Sequence, residues 1–195
     1  GEELARLGGV LNEAEQTATE LPSVIACVRL LIFTGCRLNE IMTLRWDEVD
    51  FERECLVLPE TKTGQRTVHL GAPALELLSA LERTEGNPHV IVGRKPGAHL
   101  VNMEKPWRRI RAKAGLDDVR LHDFRHTYAS FGAGAGLSLP IIGKMLGHTQ
   151  AQTTQRYAHL ATDPVKQAVD QVSSSVAAAM RGASAKVVPL EKQKR

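Results

Sequence analysis

The spacing of apolar residues changes period along this chain. Val24, Ile25, Val28, Leu31 and Ile32 recur at helical spacing, with Pro22 ahead of them and Gly35 behind. Proline suits the first turn of a helix and glycine its left-handed stop, so the pattern predicts a strongly apolar helix between them. The twenty residues before it read as a polar helix with a loose end. A second short helix carries Glu40, Ile41 and Leu44, with Arg37 between the two. The period then falls to two. Residues 54–58 and 66–70 are β-rich runs, and Thr61-Lys62-Thr63-Gly64-Gln65 between them makes a hairpin turn with Lys62 at its tip. Pro73 opens a helix over 74–81, and 89–92 is a short strand or extended run. Helical patterns fill 104–114, 122–131, 140–146, 153–157 and 164–180. Gly132, Gly134 and Gly136 are expected to break the helix that begins at His122, and Ser138 to cap the next. The fold class is therefore α+β, mostly helical, with one small antiparallel sheet. Residues 1–180 form one domain with 164–180 as its last helix, and 181–195 form a basic flexible tail.

Composition narrows the classes. Hydrophobic residues make up 43% of the 195, enough for an ordinary core, and aromatics only 4%, so that core is aliphatic. The apolar run over 24–33 is interrupted by Arg29 and is too short to span a bilayer. The N-terminus has no basic segment followed by an apolar one, so no secretory signal is read and no membrane partner is expected. Cys27, Cys36 and Cys55 are odd in number, lack metal-type spacing and read as reduced thiols of a cytoplasmic protein. The net charge of +3 permits nucleic-acid binding without demanding it. Lys105, Arg108, Arg109, Arg111 and Lys113 crowd around Trp107, a pattern equally typical of a solvated helix face.

The chemistry lies in five local motifs: Thr-Gly-Cys-Arg-Leu-Asn-Glu at 34–40, Thr-Lys-Thr-Gly at 61–64, His-Asp-Phe-Arg-His at 122–126, Leu-Gly-His at 146–148 and Thr-Thr-Gln-Arg-Tyr-Ala-His at 153–159. Each has a plain structural alternative. Arg37 and Arg125 are by themselves surface arginines, Lys62 a solvated turn lysine, His148 a helix-end histidine, and Tyr157 a half-buried tyrosine. His122 and His126 have the i,i+4 spacing of a zinc pair, but no carboxylate or cysteine completes a ligand set. Together the motifs collect two guanidiniums, an ammonium, two imidazoles and a phenol, a set able to hold a phosphodiester and attack it. The arginine fork matches phosphate oxygens and keeps its proton. His122 and Arg125, one helical turn apart, are expected to share a face. A phenol, with pKa near 10, needs a base or nearby cations to become a nucleophile.

From about Pro22 to His159 this set closely resembles the tyrosine recombinase (phage integrase) family. The resemblance implies a site-specific recombinase or integrase that cleaves and rejoins double-stranded DNA without metal, ATP or other cofactor. Tyr157 would form a 3′-phosphotyrosyl link, Arg37, Arg125, His122 and His148 would hold the phosphate, and Lys62 would protonate the leaving 5′ oxygen. Glu40 would orient its neighbours, and His126 is read as a supporting or packing residue. Phe124 stands where the family more often has leucine. The family's N-terminal helical domain has no counterpart here, so a fragment is expected. The apolar stripe Val165, Ala168, Val169, Val172 and Val176, on a helix capped by Asp163, is expected to dock on a neighbouring subunit of a tetramer on paired DNA sites or else to fold back locally. Rival readings are a type IB topoisomerase, a DNA-binding module without catalysis, and a helical interaction domain.

Overall fold

The computed structural model describes residues 1–61, 64–148, 150–160 and 164–180. α1 (Glu2–Gln16) is no loose helix: Leu7, Leu11 and Ala14, one stripe at helical spacing, are buried. α2 (Pro22–Thr34) is apolar nearly all round and is buried accordingly, from Val24 to Val28 and again at Leu30 and Leu31. It ends at Gly35, φ 62°, whose N–H donates to the Leu31 carbonyl at 3.0 Å. A Cβ there would stand 2.7 Å from the Tyr128 ring, so this stop accepts only glycine on two counts. α3 (Leu38–Met42) follows directly.

β1 (Val49–Asp50), β2 (Cys55–Thr61) and β3 (Gly64–His69) form an antiparallel sheet in that order. Leu56 pairs with Val68 and Leu58 with Arg66. Because side chains alternate faces, the face that buries Leu56, Leu58 and Val68 also carries Arg66 inward. Residues 89–92 build no strand; they make single bridges, Arg45 with His89 and Val92 with His99. α4 (Ala72–Ala80) and α5 (Glu104–Lys113) lie on either side of that segment in the chain. Trp107 of α5 meets Phe124 edge to face at 5.1 Å, so the phenylalanine is a core residue.

α6 (Asp123–Gly134) continues through Gly132 and Gly134, against expectation. Gly132 is buried with helical backbone, and a Cβ there would meet Leu137 and Ile142 at 3.5 Å, an ordinary contact, so this glycine is packed as part of the helix and does not end it. The chain reverses at Gly136, φ 81°. α7 (Leu139–Leu146) starts after Ser138, which holds the N-cap position without a side-chain capping bond. α8 (Ala151–Gln155) ends earlier than the sequence suggests, and Tyr157 lies beyond it, ahead of a 3-10 turn at Ala158–Leu160. α9 (Pro164–Met180) is last; Asp163 lies outside the described residues. One large core joins α1 to α5 and the sheet, while Ala129, Ala133, Ile142, Leu146 and Tyr157 form a second, smaller cluster. The three cysteines are free and buried, and burial pushes Cys27 up to about 12. Among the described residues no helix is long and apolar enough to cross a membrane.

Candidate active site

Two helices end close together and leave carbonyls without helical partners. Arg125, near the start of α6, fills both vacancies. One terminal nitrogen donates to Gly35 O at 2.7 Å, past the end of α2, and the other to Leu146 O at the end of α7. The side chain is buried, with 4% of the residue exposed. Burial first, then the charges of Arg37 and Arg66, lower its pKa to about 10, which leaves it cationic at neutral pH. These carbonyls draw the Arg125 guanidinium inward. His122 is exposed at the N-cap of α6, and its ring meets that of His126 at 5.1 Å.

Glu40 organises the opposite wall. It accepts the Arg37 backbone N–H at 2.7 Å, the Arg37 guanidinium at 2.8 Å and the Arg66 guanidinium at 2.8 Å. Burial raises its pKa, but these donors and the Arg66 charge outweigh burial and hold the carboxyl below its ordinary range. Arg37, half exposed, keeps much of its guanidinium open to solvent. Arg66 crosses from β3 to donate to Met145 O at 3.2 Å. Among the described residues its buried Nε has no hydrogen-bond partner. A Cβ at Gly147 would stand within 3 Å of that guanidinium, and Gly147 has φ 66°, so a glycine after α7 makes room for the arginine.

His148 follows. Its Nδ1 shares a hydrogen bond of 2.9 Å with the buried Thr154 hydroxyl. Burial, then the charges of Arg125, Arg37, Arg156 and Arg66, lower its pKa to about 4. Tyr157, 4% exposed, places its Oη 2.6 Å from Nδ1 of His126. Burial raises the phenol's pKa against the opposing charges of Arg156 and Arg125. The cationic surroundings expected to ease its ionisation are present but do not prevail.

The fold thus gathers Arg37, Glu40, Arg125, His126, His148 and Tyr157, with His122 joined through His126. Lys62 lies outside the described residues. Sequence reasoning missed Arg66, Thr154 and Arg156. Arg66 had a readable signal: it sits two residues before Val68 on the inward face of a strand. Thr154 had none. Three members of the basic cluster on α5 are engaged within the fold, two of them by carboxylates. Arg109 pairs with Glu20 at 2.7 Å, Lys113 with Glu13 at 3.2 Å, and Arg111 donates to Val119 O at 3.2 Å. Among the described residues no group of three or more His, Cys, Asp or Glu could hold a metal ion.

The phage integrase family model matches residues 3–163. Tyrosine recombinase XerA of Pyrococcus furiosus is 31% identical over 153 residues, covering 75% of this chain and 53% of its own. The solved catalytic domain of bacteriophage HP1 integrase aligns with a TM-score of 0.64 at 24% identity, over 85% of this chain and 90% of that one. XerH recombinase, solved bound to its difH substrate, aligns with a TM-score of 0.67 at 23% identity, over 81% of this chain and 48% of that one. At these identities the structures attest a shared fold. This chain spans about half the length of the curated relatives it matches. Matched over most of its length, the chain belongs to the phage integrase family of tyrosine recombinases.

Proposed function

We propose that this chain cleaves and rejoins double-stranded DNA, with Tyr157 attacking a backbone phosphate to form a 3′-phosphotyrosyl link and free a 5′-hydroxyl. The observation that carries this reading is the convergence of four arginines, Arg37, Arg66, Arg125 and Arg156, around His148. So much positive charge, with Glu40 as the carboxylate engaging two of those arginines, is a setting that suits an anion. A phosphodiester supplies one, and its charge grows as the nucleophile arrives. Arg37 and Arg125 clamp the non-bridging oxygens, His148 offers its remaining ring nitrogen, and His122 contributes from the rim. Glu40 holds Arg37 in place, and Lys62 protonates the leaving oxygen. The guanidiniums supply the charge a metal would otherwise bring, so cleavage proceeds in EDTA. The hydroxyl of a partner strand then attacks the link, which makes the overall reaction site-specific recombination, carried out in the cytoplasm where the cell's DNA is reached. The Tn1549 transposon integrase, of like fold, is solved in complex with transposon right end DNA, which fits this partner.

Exchange of strands needs several copies, and α9 is the element suited to join them into a tetramer. Val169, Val172, Val176 and Met180 are 55%, 62%, 52% and 84% exposed, an apolar stripe uncovered by the described parts of the chain. Removing residues after 163 should leave the monomer folded and abolish cooperative assembly on paired sites in a gel shift. A collapse of the monomer's melting temperature would instead place the helix in its own core.

The test of the chemistry is Tyr157→Phe on a pool of nicked suicide duplexes of randomised sequence. Wild type should give a covalent band on a denaturing gel and the variant none. A band that persists in the variant removes Tyr157 as the nucleophile.

A further inference from the structure

Tyr157 must lose a proton as its oxygen bonds to phosphorus, and burial makes that harder. Arginines cannot accept the proton. His148 has Nδ1 engaged with Thr154. Among the described residues, His126 Nδ1 stands within hydrogen-bond distance of the phenol oxygen, at 2.6 Å. We infer that His126, read from sequence as a supporting residue, is the general base that receives the Tyr157 proton. This inference rests on Tyr157 being the nucleophile.

The step balances. The Oη–H bond breaks and its proton passes to Nδ1. An Oη–P bond forms and the P–O5′ bond breaks, with the 5′ oxygen protonated by the acid assigned to Lys62. His126 then carries the proton until the reverse attack returns it. Such transfer requires neutral imidazole with its proton on Nε2, since a protonated Nδ1 could only donate. The surroundings favour the neutral ring. Burial, then His122, Arg156 and Arg125, lower its pKa, and Asp123 opposes them. These are the charged groups around it from α6 and from the turn after α8. The other elements packed on α6 bring exposed His159 and Lys144, and Arg29, which is tied to Glu15. The base is therefore free at neutral pH and is lost as pH falls through its lowered pKa. General bases of this kind contribute on the order of 10²–10⁴-fold.

Two measurements test the inference. Nitrogen-15 histidine NMR of the whole chain, without DNA, should find His126 Nδ1 unprotonated at neutral pH, with a titration that moves in Tyr157→Phe. A proton on Nδ1 at neutral pH overturns the base role and leaves Tyr157 untouched. On the pool of nicked duplexes, His126→Asn keeps a polar group near Nδ1 but cannot titrate. It should slow adduct formation on the order of 10²-fold. The acidic limb of the rate profile should vanish, and the rate should climb toward the phenol's own pKa. A uniform loss with the acidic limb kept means that His126 only positions the ring, and the base role fails. Should the Asn variant melt early, His126→Gln reads the same limb. Loss of the covalent band in Tyr157→Phe must accompany either result. If the band survives there, the nucleophile assignment fails and this inference falls with it.

Discussion

Two basic regions of this molecule contrast sharply. On α5, Arg109, Arg111 and Lys113 lie within a few residues of one another, and each is met by an acceptor: Glu20, the Val119 carbonyl and Glu13. In the site, Arg37, Arg66, Arg125 and Arg156 are scattered over three-fifths of the chain, yet all four act on one histidine. The first region is dense in sequence, and two of its charges are paired with carboxylates in space. The second is sparse in sequence and strongly positive in space. Positive charge becomes available to a ligand where the fold gathers cations faster than carboxylates and partly removes them from water.

The comparison breaks most visibly at Arg125. Arg125→Ala should cut adduct formation by on the order of 10²-fold or more, since it removes a charged donor from the transition state. It should also lower the melting temperature, because Gly35 O and Leu146 O lose their partner. Arg125→Lys should rescue little, since one ammonium cannot reach both carbonyls as a fork does. Glu40→Gln is next. It weakens charged bonds to Arg37 and Arg66, each worth about 1.5–3 kcal/mol in general, so roughly tenfold slower cleavage is expected. Gel-based adduct kinetics read both.

Acid should separate the regions more gently. His148 has a folded pKa of about 4, below its unfolded value near 6.5. The unfolded chain therefore binds the extra proton first. The stabilisation is complete above about 6.5 and is lost as pH falls toward 4. Melting curves should show this decline, and His148→Asn should flatten it. The smallest effect belongs to α5. Arg109→Ala breaks an exposed pair worth about 0–1 kcal/mol and should leave cleavage within about twofold of wild type. A large loss of cleavage there would erase the distinction between the regions.

Period and punctuation made the helices, the hairpin and their order legible, since Pro22, Gly35 and the β-rich runs act locally. Gly132 misled because a glycine's role depends on what packs against it, here Leu137 and Ile142. Tyr157, Arg37, Arg125 and His148 were legible through their motifs. His126 was visible, but its bond to Tyr157 joins residues 31 apart in the chain and follows only from the packing of α6 against the turn after α8. Thr154 was hidden for the same reason.

The tyrosine belongs to the smaller apolar cluster, with Ala129, Ala133, Ile142 and Leu146, and not to the large one built on α2. Among the described residues fewer buried side chains fasten that patch than the large core, and a less densely packed unit opens at lower cost than the whole. The residue proposed as nucleophile is thus mounted on the smaller of the two cores. In the proposed reaction, a segment that holds a severed strand, waits and hands it on would gain from such mounting, since it could shift with the DNA while the frame keeps its shape.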